Sequence, residues 1–236
     1  MTLLSRGLPS IARGDSVNFP KDTERHAIYG MTGSGKTVFA LWCLSRRSFH
    51  KMPWIIIDFK RDVTIARVPG LEEIGVDDKL PSRKGLYVVR PDPAEGTDGT
   101  MTEWLYRVWA QERTGLLLDE GYMLSRYDAG LRAVLTQGRS KTIPVIALSQ
   151  KPVWVSPFVH SESEFKSVFF LQMPRDVDTV KEWLPPGRDV DPSRLPPHHS
   201  YWYHVASREF RRFGPCPGED EILQTFDDRR VRRWKL

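Results

Sequence analysis

The sequence predicts an α/β fold, a mostly parallel β-sheet flanked by helices with a C-terminal β-hairpin extension. Three observations predict this class: short apolar runs alternate with segments of helical spacing, a glycine-rich turn joins the first strand to the first helix, and the runs lack the polar alternation of a half-exposed sheet. A chain of 236 residues suits one domain with a sufficient core.

The predicted sheet is built from short apolar runs of strand length. Five core strands are predicted at residues 26–29, 54–57, 115–118, 143–148 and 167–171, with a further strand at 86–90. Helices are predicted where apolar residues recur at helical spacing, directly after the glycine turn, over residues 102–113 and around residues 131–135. Strands and helices therefore alternate over residues 26–184, the predicted core.

Irregular segments are predicted on both sides of this core. Residues 1–25 form a predicted N-terminal arm, because prolines and a glycine interrupt any periodicity. Residues 185–228 join a proline-rich connector to a hairpin predicted from the aromatic runs at 201–205 and 209–213. Residues 229–236 form a predicted basic tail.

The charge is concentrated in that tail. The chain has a formal net charge of +5, and residues 229–236 alone carry five positive side chains. Such a block attracts phosphate backbones, with Trp234 available to stack on a base, docks to an acidic partner, or is simply a solvated terminus. The tail alone does not decide among these.

Other bulk features predict the compartment. Cys43 and Cys216 are too few for a disulfide framework and lack metal-ligand spacing, which predicts a reducing compartment, the cytoplasm. The N-terminus lacks the apolar run of a signal peptide, and no stretch of eighteen apolar residues is present. We therefore expect no membrane insertion.

The most specific motif is the run Gly-Met-Thr-Gly-Ser-Gly-Lys-Thr at residues 30–37. A strand, this loop and a helix in succession direct free backbone N–H groups and the positive end of the helix dipole toward a polyphosphate. Lys36 is expected to bind the β and γ oxygens, and the Thr37 hydroxyl is expected to bind Mg²⁺. A chance glycine-rich turn is the alternative. The predicted ATP-binding residues are Gly30, Met31, Thr32, Gly33, Ser34, Gly35, Lys36, Thr37 and Val38.

A second signature, Leu-Leu-Leu-Asp-Glu, occupies residues 116–120. Carboxylates at the end of a buried strand lie at the sheet edge where phosphates bind. Asp119 is predicted to hold Mg²⁺ through its water shell, and Glu120 to orient and deprotonate the attacking water. A solvated acidic turn is the alternative, but the pairing with the loop favours ATP hydrolysis.

Two further polar positions precede and follow the predicted strand at 143–148. Arg139 ends a predicted helix, so it either satisfies the helix dipole or reaches the site of a neighbouring subunit to neutralise the γ-phosphoryl group. Gln150 ends the strand at the phosphate edge, where it either senses the γ-phosphate or merely caps the strand. The segment Asp58-Phe-Lys-Arg61 has a similar claim on the rim of the site and a similar structural alternative.

With these motifs, residues 26–183 resemble the FtsK/HerA group of P-loop motor ATPases, and within it the short genome-packaging ATPases of bacteriophages and other DNA viruses. The resemblance rests on four segments: the loop at 30–37, Ile-Ile-Asp-Phe-Lys at 56–60, the acidic strand, and Gly-Arg-Ser-Lys-Thr-Ile-Pro-Val-Ile-Ala-Leu-Ser-Gln-Lys-Pro at 138–152. It implies a P-loop NTPase (RecA/FtsK-like) fold, an arginine acting in trans at Arg139 and a phosphate-sensing glutamine at Gln150.

The resemblance also implies the partners. It implies a homo-oligomeric ring, a pentamer or hexamer, that moves double-stranded DNA through its centre and docks on a portal or capsid vertex protein, in the host cytoplasm if the chain is viral. The sequence does not decide whether Arg139, Lys141 or Lys166 acts in trans. The DNA-contacting loop is unassigned, with Arg61, Arg67, Arg83 and Lys84 as candidates or as ordinary solvated residues.

Two other functions share the loop and the sheet. A nucleotide or metabolite kinase would transfer phosphate to a small molecule under an arginine-rich lid. A morphogenesis or assembly ATPase, of the zonular-occludens-toxin kind, would use ATP without acting on DNA. The absence of a recognisable nuclease domain, membrane anchor or DNA-orienting domain in the sequence favours a minimal packaging motor.

Overall fold

The computed structural model describes residues 18–186, 188 and 190–233, which form one nine-stranded sheet and seven α-helices. The strands are β1 (His26–Tyr29), β2 (Pro53–Asp58), β3 (Leu71–Ile74), β4 (Gly85–Val89), β5 (Gly115–Asp119), β6 (Val145–Ser149), β7 (Phe165–Val168), β8 (Ser200–His204) and β9 (Glu209–Phe213). The helices are α1 (Lys36–Ser45), α2 (Val63–Ala66), α3 (Thr100–Gln111), α4 (Ala129–Gln137), α5 (Pro157–Ser161), α6 (Pro174–Lys181) and α7 (Glu219–Arg233).

The strand order is β3-β4-β2-β5-β6-β1-β7-β8-β9. The strands from β3 to β7 are parallel, and β8 and β9 add an antiparallel hairpin to the edge formed by β7. The predicted α/β class and the C-terminal hairpin extension are therefore confirmed. The carboxyl ends of β5, β6, β1 and β7 lie side by side, so the segments that follow these four strands share one edge of the sheet.

Both faces of the sheet are covered, which explains the apolar runs. Along β2, Ile55 and Ile57 pack on the side of α3 and α4, where Trp104 contributes to the core. Trp54 and Ile56 pack on the opposite side with α1 and α7, where Phe39 and Phe226 are among the core residues. A strand buried on both faces needs apolar side chains at every position, because no face is left for polar residues.

The predicted strands correspond closely to the observed ones, except at the last. The run predicted at 167–171 is shifted, since β7 spans Phe165–Val168 and therefore includes Lys166, which is buried in spite of its charge. The Phe169 N–H still donates to the Tyr29 carbonyl (2.7 Å), and the Phe170 carbonyl accepts from the Met31 N–H (3.0 Å). Residues 169–170 therefore support the glycine loop instead of extending the strand ladder.

Five elements have no counterpart in the sequence predictions: strand β3 and helices α2, α5, α6 and α7. Strand β3 carries two glutamates and lies at the edge of the sheet, so it lacks an apolar run. Among the side chains of helix α7 that the structure describes, Ile222, Leu223 and Phe226 are buried against the core. A short apolar stripe among many charges gave no signal, because helical packing needs only one narrow face.

Part of the predicted basic tail belongs to helix α7. Residues 229–233 belong to this helix, so the predicted boundary between residues 228 and 229 falls inside it. The Arg229 guanidinium donates to the Ser45 carbonyl at the end of α1. Residues 234–236, including Trp234, lie outside the described residues, as do residues 1–17 of the predicted N-terminal arm.

The described end of the arm, residues 18–25, packs against the core. Phe19 contacts the rings of Trp42 and Trp202, at centroid distances of 5.3 and 6.0 Å. Arg25 is buried and forms a salt bridge with Glu164 (2.5 Å). These contacts fix where the chain enters β1.

Gly115, the first residue of β5, provides a test of the packing around the central strands. A Cβ atom there would lie 2.2 Å from the Trp54 indole ring, which is fully buried in β2. We expect Gly115→Ala to lower the free energy of unfolding by about 3 kcal/mol, because neither the strand nor the ring has room to move. Urea denaturation measures the change. Gly214→Ala is the matched control, since its Cβ would meet only His199, at 3.9 Å; equal losses for both variants would contradict this account.

Candidate functional site

The glycine loop connects the end of β1 to the start of α1 at the carboxyl edge of the sheet. Gly33 and Gly35 have φ angles of 77° and 94°, a region that residues with a Cβ rarely adopt. The Phe39 N–H donates to the Gly35 carbonyl (3.0 Å), so the N–H groups of residues 36–38 precede the first intrahelical bond. These free donors and the helix dipole make the turn a site for a polyphosphate.

The acidic pair follows β5, two strands away from β1. Asp119 and Glu120 are each only 1% exposed, and Glu120 has a φ of 57°, so the chain turns sharply there. The Asp119 Oδ1 atom is buried and accepts no hydrogen bond from the part of the chain that the structure describes. An acceptor buried in this way costs free energy unless a ligand satisfies it.

The electrostatics of Asp119 indicate what that ligand is. Burial, followed by the charge of Glu120, raises the Asp119 pKa to about 7; Lys36 opposes this, and Asp58 and Asp62 add to it. Asp58 is the register partner of Asp119 on the neighbouring β2, so the carboxylates crowd one end of the sheet. A divalent cation would supply positive charge at this place, and carboxylate and hydroxyl oxygens such as those of Asp119 and Thr37 are ligands that Mg²⁺ prefers.

Two ammonium groups bring the loop and the acidic pair together. Lys36 Nζ lies 3.2 Å from Glu120 Oε1, and Lys60 Nζ lies 2.5 Å from the same oxygen. Burial alone would lower the Lys60 pKa, but the hydrogen bond and charge of Glu120 raise it above its ordinary value. The segments at residues 30–37 and 116–120 therefore converge on one place. The prediction of an ATP site depends on this convergence.

Gln150 connects the same two segments from the end of β6. Its backbone N–H donates to Glu120 Oε2 (3.2 Å), its side-chain oxygen accepts from the Thr32 hydroxyl (2.6 Å), and its side-chain nitrogen donates to the Tyr122 hydroxyl (2.9 Å). Gln150 is thus both a hydrogen-bonded strand end and a bridge between the loop and the predicted base. Its predicted phosphate-sensing role remains a prediction that this position supports.

Arg139 is not brought to this site. It is exposed in the turn between α4 and β6, at the amino edge of the sheet, whereas Glu120 and Gln150 lie at the carboxyl edge. The other candidates for action in trans differ: Lys141 is held by Glu112 (2.6 Å) and lies over the Trp109 ring, and Lys166 is buried in β7. Arg139 therefore does not reach the Glu120 of its own chain.

Sequence reasoning named the rim segment Asp58–Arg61 but gave Lys60 no role. The Lys60 ammonium group contacts Glu120. The buried Asp58 carboxylate accepts hydrogen bonds from the Arg90 guanidinium (3.2 Å) and from the Asp62 N–H (3.0 Å). A lysine two residues after a buried strand was the only signal.

His198 was also missed as a neighbour of the loop: its Nδ1 is 2.9 Å from where a Cβ on Gly35 would lie, and nothing in the local sequence indicates this contact.

The described residues also bear on two other kinds of site. No group of three or more histidine, cysteine or acidic residues with the arrangement of a metal site occurs among them. Among the same residues, none of the helices combines the length and apolar character needed to span a bilayer.

Comparison with known proteins gives one close relative. The DNA packaging ATPase P9 of Enterobacteria phage PRD1 is 35% identical over 230 residues, which cover 94% of this chain and 100% of that protein. No model of a known protein family matches the sequence.

Solved structures show the same fold at lower identity. The genome packaging NTPase B204 of Sulfolobus turreted icosahedral virus 2, in complex with AMPPCP, has a TM-score of 0.61 and 16% identity, covering 84% of this chain and 100% of that one. VirB4 of Thermoanaerobacter pseudethanolicus has a TM-score of 0.62 and 11% identity, covering 84% and 91% respectively. These likenesses establish the fold class.

Proposed function

The chain belongs to the family of the DNA packaging ATPase P9 of phage PRD1, and we propose that it is an ATP-hydrolysing motor that moves double-stranded DNA into a viral capsid. The observation that carries the proposal is the convergence of Lys36 and Glu120, which joins the phosphate loop to the acidic pair. Family membership favours this function over a small-molecule kinase or an assembly factor that does not act on DNA.

In the proposed reaction, ATP binds along residues 30–38, with its phosphates on the N–H groups at the start of α1 and on Lys36. Thr37 and Asp119 would hold Mg²⁺, and the unsatisfied Asp119 Oδ1 supports this role. A metal ion held there would supply positive charge that offsets the charge of the phosphates. Water attacks the γ-phosphorus, the bond to the β–γ bridging oxygen breaks, and the proton of the water passes to the Glu120 carboxylate.

The contacts of Glu120 support a switch that depends on the nucleotide. Two ammonium groups contact one oxygen of the Glu120 carboxylate and hold it beside the glycine loop. The triphosphate competes for Lys36, so ATP binding leaves Glu120 with Lys60 and Gln150 alone. The carboxylate is then free of its ion pair with Lys36 when the substrate is in place.

Lys60 is therefore a positioning residue for Glu120 in this mechanism. We expect Lys60→Met to lower kcat by about tenfold with little change in KM, because Glu120 loses orientation while the phosphate contacts remain. Steady-state phosphate release measures both constants. Lys60→Arg retains a donor and should recover most of the rate; a rise in KM at unchanged kcat would instead assign Lys60 to nucleotide binding.

We propose further that the motor is a homo-oligomeric ring, a pentamer or hexamer, in which Arg139 of each subunit completes the site of the next. Its exposure at the edge of the sheet opposite its own Glu120 supports this arrangement. The ring would dock on a portal or capsid vertex protein and act in the host cytoplasm. Closed rings follow when each subunit contacts the next through two different surfaces.

The proposed function is tested by phosphate release from ATP with and without duplex DNA, together with the mass in solution in the presence of a non-hydrolysable ATP analogue. We expect DNA to stimulate release and the analogue to stabilise a ring. Transfer of phosphate to a small molecule would instead support a kinase. Turnover no higher than that of a Glu120→Gln variant, with or without DNA, would contradict the motor.

A further inference from the structure

A cavity separate from the nucleotide site opens at the same edge of the sheet. Its volume is about 690 Å³, and it lies between the loops that follow β5 and β6 and the helices α5 and α6. Three of its lining residues, Arg126, Lys166 and Arg175, are cations from different elements. We call it the basic cavity.

Lys166 is the most informative of the three. It is only 8% exposed, and no described residue accepts a hydrogen bond or forms a salt bridge with its ammonium group. The centroid of the Tyr203 ring lies 6.0 Å away, and the Glu164 carboxylate, which forms a salt bridge with Arg25, acts on the ammonium group as a nearby charge. Burying a lysine without a salt bridge is costly, and burial accordingly lowers the Lys166 pKa, which the charge of Glu164 opposes. The cavity thus has an unsatisfied cation in its wall.

The two arginines are exposed on either side of the cavity and likewise form no salt bridge with a described residue. Glu182 is the one acid among the described lining residues, and it pairs with none of the three cations. His160 adds no charge, because its pKa is lowered to about 3. Burial is the main cause, and the positive charges of Lys166 and Arg126 contribute to the decrease. The net charge of this lining is therefore positive.

The arginines proposed from sequence as DNA contacts, in contrast, form ion pairs with acidic residues of the chain. Arg67 is held by Asp220 (2.8 Å) and by Glu219, Arg61 lies 3.6 Å from Asp92, and Arg83 lies 3.9 Å from Glu72. Their charges are offset within the protein. The basic cavity is the better place for an external anion.

The surroundings suit a phosphate with an apolar or planar attachment. Pro152, Val153 and Trp183 provide apolar wall. Two aromatic side chains adjacent in sequence to lining residues are unusually exposed, Tyr127 at 72% and Trp154 at 58%, and Lys151 lies over the Trp154 ring. Cations interleaved with exposed aromatic rings are typical of surfaces that follow a nucleic-acid backbone.

The basic cavity is also connected to the nucleotide site by short segments. Gln150 contacts Glu120 and the glycine loop, and Pro152 and Val153 line the cavity only two and three residues later. On the other side, the Tyr29 hydroxyl, at the end of β1, contacts His160 in the cavity wall. A ligand in the cavity would therefore touch segments that also contact the nucleotide site.

We propose that the basic cavity binds backbone phosphates of the DNA, with Lys166 in the cavity wall and Arg126 and Arg175 on either side. This proposal rests on the proposed function and adds the surface that grips the duplex. Because the same loops carry Glu120 and Gln150, hydrolysis and release of the nucleotide would move the grip.

The test compares binding of a fluorescent DNA duplex across a salt series, with a non-hydrolysable ATP analogue present. We expect Arg126→Gln, Arg175→Gln and Lys166→Met each to reduce the slope of log K against log salt concentration by about 1, and the triple variant by about 3. Arg67→Gln is the matched control and should keep the wild-type slope. Basal ATP hydrolysis without DNA should be unchanged in all of them, which also reports that the variants are folded.

Several results would overturn the proposal. A wild-type slope in a triple variant that retains basal hydrolysis would remove the cavity from DNA binding while leaving the motor intact. Loss of basal hydrolysis at unchanged DNA affinity would assign the cavity to the nucleotide of a neighbouring subunit. If the wild-type protein hydrolyses ATP but binds no duplex, the proposed function fails, and this inference fails with it.

Discussion

Glu120→Gln is expected to keep ATP binding and to reduce turnover by on the order of 10² to 10⁴, the usual contribution of a general base. Glutamine has nearly the same shape, and its one carbonyl oxygen can still accept from Lys60 or from the Gln150 N–H, which contact different oxygens of Glu120. It cannot take a proton from water. Removing its negative charge also frees Lys36, so ATP affinity should be equal to or greater than that of the wild type.

The measurement is single-turnover phosphate release, alongside equilibrium binding of a fluorescent ATP analogue. Glu112→Gln is the matched control, because Glu112 is half-exposed and pairs only with Lys141, far from the loop. It should leave both quantities unchanged. A normal hydrolysis rate in Glu120→Gln would remove Glu120 from the chemistry and leave only its structural contact with Lys36.

Arg139→Ala is expected to lower the rate of hydrolysis by about 10³ to 10⁵, the range found for an arginine that stabilises the transferring phosphoryl group in trans. The expectation depends on the ring, because Arg139 lies at the edge of the sheet opposite its own Glu120. Arg139→Lys should recover little, since an ammonium group lacks the planar fork of the guanidinium.

Mixing two inactive variants separates action in trans from action in cis. A complete site forms where the subunit that binds the nucleotide is Arg139→Ala, which keeps Glu120, and the neighbour that donates the arginine is Glu120→Gln, which keeps Arg139. Random mixing in equal amounts should therefore restore up to about a quarter of the wild-type rate per subunit if the sites act independently. No recovery, with ring assembly verified by mass, would exclude Arg139 as the arginine acting in trans.

Much of the fold could be predicted because its central strands carry their own signal. Strands β1, β2 and β5 are buried on both faces, so apolar residues fill most of their positions and the run stands out. Strand β3 and helix α7 were not predicted because each buries few of its described side chains. Strand β7 was misplaced because Lys166 interrupts its apolar run, and a buried charge is unexpected without a partner.

The sequence by itself determined the phosphate loop and the acidic pair, because each is a local motif whose residues are neighbours along the chain. Only the tertiary structure decided that Lys36, Lys60 and Gln150 all meet Glu120, and that Arg126, Lys166 and Arg175 surround one cavity. These contacts follow from the order β5-β6-β1-β7, which differs from the order along the chain. Local side-chain patterns specify that a strand is buried, but not which strand lies beside it.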